Sequence, residues 1–176
     1  MTGNRLGLAG RWFTFAVAAL LLAGCPANGD DEAPDRDASV YRGVINDIVK
    51  ETSVQTEDPE TLPTLFIEAF DPEGIPLEVQ VELVAEFEER YAVRFIDDRI
   101  EATDIELPGS PVRPESLFLG LGPAVGDDTV NVRGELYFAE TDIRAYRYTL
   151  NEQADQSWSI VGSPESVDPE GFVTTS

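Results

Sequence analysis

Carboxylates dominate the chemistry open to this chain. It carries 34 Asp and Glu among 176 residues, against 12 Lys and Arg and no His. Asp97, Asp98 and Glu101 fall together at the end of one apolar run, and Asp127 and Asp128 precede another. Carboxylate oxygens grouped at loop tips are what a hard cation such as Ca2+ needs. The spacing is not that of an EF-hand, so a cation-binding module is an alternative reading and these five acids are weak candidates. Two carboxylates also suffice to hydrolyse a glycoside, which keeps a carboxylate-dependent hydrolase as a second alternative, although no spacing selects one pair. The absence of His excludes Ser-His-Asp and Cys-His catalysis and imidazole–metal sites. No P-loop and no GxSxG elbow occurs. Gly120, Gly122 and Gly126 share glycines with a dinucleotide-binding loop. Such a loop opens a helix, whereas Pro123 interrupts this one and a strand follows, so it reads as a connection between strands. The chain is expected to be non-catalytic and to use no cofactor.

The one sulfur nucleophile, Cys25, has a context of its own. The first eleven residues hold Arg5 and Arg11 and no acid, and residues 12–24 hold no charge. A positive start, an apolar run and small residues at its end are the order of a secretory signal. The run is too short for a spanning helix, which needs about 20 residues. It closes on Leu22, Ala23, Gly24 and Cys25. This tetrapeptide resembles the lipobox of bacterial lipoproteins. The resemblance implies that residues 1–24 are removed, that the Cys25 thiol carries a diacylglycerol, and that the new N-terminus is acylated, for example by palmitate. It further implies a protein held by lipid on the extracytoplasmic face of a bacterial membrane. Each buried methylene contributes about 0.8 kcal/mol, so two chains anchor stably where one does so only marginally. The resemblance covers residues 1–25 alone. Pro26 follows the Cys rather than an Asp, so retention at an inner membrane is not indicated.

Loss of Arg5 and Arg11 leaves 10 basic residues against 34 acids. That balance excludes nucleic acid as a partner, because phosphate neutralisation needs clustered Lys and Arg. It equally excludes adhesion to anionic lipid through a basic face. Lys50 is the only lysine; at the end of a predicted helix its charge suits the helix dipole. Many carboxylates with few lysines fit a surface hydrated in high salt, and a coding bias toward Arg fits equally. With Cys25 committed to lipid no disulfide can form, so an apolar core must hold the fold unaided.

These chemistries need elements to position them. Residues 25–38 contain two prolines and five acids and read as an acidic, extended tether, at most about 50 Å long. Residues 39–51 predict a helix capped by Ser39, with Val40, Tyr41, Val44, Ile45, Ile48 and Val49 on one face. Residues 64–70 predict a strand, followed by a turn at Asp71, Pro72, Glu73 and Gly74. Residues 76–91 fit both periods; Pro76 in a first turn and the Glu-rich continuation favour helix over strand. Strands follow at 92–96 and 117–121, with a short helical turn near 98–103. Segments 129–139, 143–150 and 157–161 predict an antiparallel meander. Residues 163–176 read as a polar C-terminal tail that frays. The expected fold is α+β: one domain over 39–162, with about two helices covering one side of a mixed sheet. Tyr41, Tyr137, Tyr146, Tyr148 and Trp158 are the aromatic candidates. Tyr137 should point away from Leu136 and Phe138, onto an outer face that either pairs across strands or meets a partner. The leading expectation is a lipid-anchored lipoprotein presenting a binding or assembly domain at the cell envelope, to an envelope protein or a polysaccharide.

Overall fold

The computed structural model describes residues 32–50, 52 and 54–172. Cys25, the signal segment and most of the expected tether lie outside them. Among the described residues, two helices and seven strands form a single α+β domain. In chain order they are α1 (Glu32–Val49), β1 (Thr64–Ala69), α2 (Leu77–Phe87), β2 (Ala92–Ile96), β3 (Ser116–Leu121), β4 (Thr129–Ala139), β5 (Asp142–Glu152), β6 (Trp158–Ile160) and β7 (Glu165–Val167).

The sheet runs β2-β1-β3-β4-β5-β6, and β7 pairs with β5 as well. β1 is parallel to both β2 and β3, and every other pairing is antiparallel. Two consecutive parallel strands need a crossover, and α2 supplies it between β1 and β2. Residues 97–115 make the second crossing, to β3, by an irregular excursion opened by a 3-10 turn at Arg99–Glu101. The meander then needs only short turns. β6 and β7 lie end to end along the free edge of β5, one beside Leu150, Asn151 and Glu152, the other beside Ala145, Tyr146 and Arg147.

Both helices bury their apolar stripe on the same sheet face. α1 contributes Val40, Tyr41, Val44, Ile45, Ile48 and Val49, the set its 3.6-residue period predicts. α2 contributes Val79, Leu83 and Phe87, spaced four apart. They meet Leu65 and Ile67 of β1, Leu117, Leu119 and Leu121 of β3, Val130, Val132 and Leu136 of β4, and Tyr148 and Leu150 of β5. Gly134 allows the close approach of α1: a Cβ there would sit 2.8 Å from the Ile48 side chain. Residues 77–87 are thus helical, as the proline-led reading favoured.

Three expectations need correction. The helix expected at 39–51 begins at Glu32, so part of the expected 25–38 tether is structured and Ser39 is not a cap. The cause is tertiary. Ala38 is fully buried, and Arg36 donates to the carbonyls of Gly126 (3.0 Å) and Ala124 (3.4 Å) in the β3–β4 connection. The second correction concerns residues 163–172, expected to fray. They form β7 and then cross the outer face of the sheet, where Phe172 is buried. The third follows from the second. The sheet is covered on both sides, and Phe66, Ile96, Ala102, Phe118, Tyr137 and Phe172 form a separate core opposite the helices.

Candidate functional site

Strand alternation decides what stands on that outer face. With Leu65, Ile67, Leu119 and Leu136 turned to the helices, Phe66, Glu68, Phe70, Phe118, Gly120, Arg133, Glu135 and Tyr137 must turn away from them. The register then lines up Glu68 of β1, Gly120 of β3, Glu135 of β4 and Ala145 of β5 in one row across four strands. Two carboxylates therefore share a row, separated by a glycine. Neither was singled out in the sequence. The signal that could have found them is an acid inside an otherwise apolar strand, as in TLFIEAF and GELYF.

Their surroundings are opposite. Glu135 has no exposed side-chain surface. Its Oε1 accepts from Arg133 Nε (2.6 Å) and from the backbone N–H groups of Glu170 (3.0 Å) and Gly171 (3.0 Å). Its Oε2 accepts from the N–H of Phe172 (3.3 Å). Burial pushes this carboxyl up, but the Glu170 and Gly171 amides, Arg133 and the Phe172 amide outweigh it and hold Glu135 below its ordinary range. It is an anion built into the fold. Glu68 is half-buried, and its Oε2 has no hydrogen-bond partner among the described residues. Burial pushes it above the ordinary range, Arg99 opposes this, and Asp98 adds to it. Carboxyls pushed apart in this way are what acid–base chemistry uses. Here, however, residues 168–172 lie over Glu135 and take up both of its oxygens, so the charged partner of the pair is closed to a substrate.

That covering segment is held from several sides. Arg133 donates to the Asp168 carbonyl and reaches Glu170 Oε2 at 3.2 Å. Arg99 Nη1 donates to the Phe172 carbonyl at 2.8 Å and its guanidinium lies 5.8 Å from the Phe172 ring centre. The Phe172 ring is 4.7 Å from that of Phe118, 5.0 Å from Phe70 and 5.2 Å from Tyr137. The Phe70 ring is clamped between two glycines: a Cβ on Gly120 would lie 1.8 Å from it and one on Gly171 2.1 Å.

The aromatic candidates are accordingly not a surface patch. Tyr137 does point to the outer face, but it is buried and its hydroxyl donates to the Ser110 carbonyl (2.9 Å). Tyr148 is buried among the helix-facing residues, with Tyr146 and Trp158 half-buried against them. Tyr41 is buried too; its hydroxyl donates to the Gly122 carbonyl (3.2 Å), and burial, with Asp37 next, pushes it up to about 12.

Nor do the acids proposed as cation ligands come together. Asp98 caps the 3-10 turn, accepting from the Ile100 N–H at 2.9 Å. Glu101 lies 4.0 Å from Arg94, and Asp97, Asp127 and Asp128 are exposed. Among the described residues no three His, Cys, Asp or Glu side chains are grouped to hold a metal ion. The glycines at 120, 122 and 126 lie at the end of β3 and in its connection to β4 and open no helix.

Two further surfaces are candidates. A cleft of about 310 Å³ lies where the carboxyl ends of β1 and β3 meet α1 and α2, lined by Asp37, Tyr41, Asp71, Glu73, Ile75 and Pro123. Crevices at the carboxyl ends of adjacent parallel strands are frequent ligand sites, and three acids make this one electronegative. The outer side of α2 exposes Leu77 (68 %), Val81 (61 %) and Val84, while Ile100, Ile105 and Leu107 are exposed on the β2–β3 excursion. No helix among the described residues is long and apolar enough to cross a membrane. Searches against protein-family models and against curated protein sequences give no match to this chain.

Proposed function

We propose that this chain is a bacterial lipoprotein, anchored by lipid on Cys25 to the extracytoplasmic face of a membrane, whose α+β domain is a non-catalytic binding or assembly module. The observation that carries the reading is the run Leu22, Ala23, Gly24 and Cys25 at the end of a charge-free segment preceded by Arg5 and Arg11. Sole use of cysteine at that position supports it. So does the break in composition after Cys25, where acids replace the apolar run. The binding part of the reading is supported by the apolar stripe on α2, since Leu77, Val81 and Val84 do not contribute to the buried stripe of their own helix. A fully used, covered Glu135 favours binding over hydrolysis.

Mass spectrometry of the protein isolated from a bacterial envelope tests the anchor. The expected N-terminal residue is Cys25 bearing a diacylglycerol, and Cys25→Ala should leave the protein out of the detergent-soluble membrane fraction. An intact N-terminus with an unmodified thiol would overturn the reading. Capture from native envelope by the purified domain, compared with a Leu77→Gln, Val81→Gln double variant, tests the binding part. Equal capture by both would remove α2 as the surface.

A further inference from the structure

We propose that residues 168–172 form a releasable strap, a latch that opens locally from the outer sheet face and is locked by the charged form of Glu135. The inference is independent of the lipid anchor. Its ground is the way the segment is held. Beyond β7, three residues long, the segment is fastened by side chains of other elements rather than by a strand ladder. One carboxylate receives three successive backbone N–H groups, two guanidiniums take the Asp168 and Phe172 carbonyls, and one ring fills a pocket of three. The fastening is thus concentrated in a few groups, and loss of the Glu135 charge weakens most of it at once. β4 and β5, by contrast, pair along almost their whole length. Segments with few ladder bonds open at lower free energy than the sheet that carries them.

The groups that face Glu135 decide the direction of the switch. On its own strand is Arg133, opposite Arg147 of β5, which is itself paired with Glu165 of β7. From the strap come Asp168 and Glu170, and from β1 comes Glu68, beyond Gly120 in the same row. Arg99 and Asp98 stand beside Glu68 from the excursion after β2. β3 contributes only Phe118 and Gly120 at this point. Protonation of Glu135 removes the acceptor charge from three amides and leaves Arg133 with exposed Glu170 as its carboxylate partner, beside the Asp168 carbonyl. Phe172 then leaves Phe70, Phe118 and Tyr137 uncovered. The opening therefore follows acid, below the ordinary carboxylate range.

Hydrogen exchange on the full chain, with intrinsic exchange corrected at each pH, tests this. Between about pH 7 and pH 3 the amides of Glu170, Gly171 and Phe172 should lose protection together, by roughly tenfold or more, while those of β4 and β5 keep theirs. Binding of an apolar dye should appear over the same range with the far-ultraviolet dichroism unchanged. Glu135→Gln should open the strap at neutral pH and flatten its pH dependence. Gly171→Ala leaves the carboxylate intact and forces the strap from Phe70; it should open the strap with the sheet still protected. Strap amides that exchange only with global unfolding at every pH would overturn the proposal. So would a folded Glu135→Gln as protected as the parent, or a Gly171→Ala in which sheet and strap lose protection together.

Discussion

Glu135 and Glu68 are the residues at which this fold departs from a simple apolar sheet. A buried carboxylate is tolerable only when its charge is met by donors, and Glu135 has four of them. Glu135→Gln keeps the shape but places amide hydrogens against backbone N–H groups, so it should destabilise the domain by about 1–3 kcal/mol in urea unfolding at neutral pH. The sign with pH follows from the depressed native value. The contribution of Glu135 is full above its unfolded pKa and is lost as pH falls through the lower native one. Parent and Glu135→Gln should therefore converge in stability in acid. Glu68 has the opposite sign. Its native pKa is raised, so its ionisation works against folding as pH rises through that value. Glu68→Gln should raise the urea midpoint at neutral pH, and the gain should vanish below the unfolded carboxylate range. A Glu68→Gln that loses stability at neutral pH would show that the half-buried carboxylate has a stabilising role.

At the scale of elements, α2 and the strap carry the testable contrasts. α2 has one apolar stripe in the core and a second in solvent. Leu83→Ala should cost about 2–5 kcal/mol, as buried leucines do, while Val81→Ala should stay within about 0.5 kcal/mol, as exposed positions do. Equal losses at the two positions would mean that the second stripe is covered as well. Phe172→Ala removes the ring packed against Phe70, Phe118 and Tyr137. A cost of about 3–5 kcal/mol is expected if the outer core unfolds with the rest, and a smaller one if the strap detaches first. Equilibrium unfolding followed by two probes, one on the strap and one on β4, separates these outcomes.

For the whole molecule, electrostatics dominates. A formal charge of −22 opposes compaction through self-repulsion, and salt screens it over about 8 Å at physiological strength. Added NaCl should therefore raise the urea midpoint steadily from low salt upward. A midpoint independent of salt would show that repulsion among the excess acids does not limit the stability of the domain. It would also favour a coding bias toward Arg over a surface hydrated in high salt as the reason for many acids with few lysines.

Much of this architecture could be read along the chain, because it follows from local period. The stripe of α1, the strands TLFIEA, SLFLGL and TVNVRGELYFA, and the turn after Phe70 are each decided by residues within a few positions of one another. The proposed lipid anchor is a local reading as well, since it rests on Arg5, the apolar run and Cys25 without any fold. What lay beyond local pattern depended on contacts between distant residues. The helix gained its first turns because Arg36 meets a loop about ninety positions away and Ala38 is buried. Residues 168–172, polar and proline-bearing, look like a tail until a carboxylate 35 to 37 positions earlier accepts their amides. The row from Glu68 to Glu135 exists only once β1, β3 and β4 are in register. Period tells which face a side chain takes, but register and strand order decide which charges share that face and what covers them.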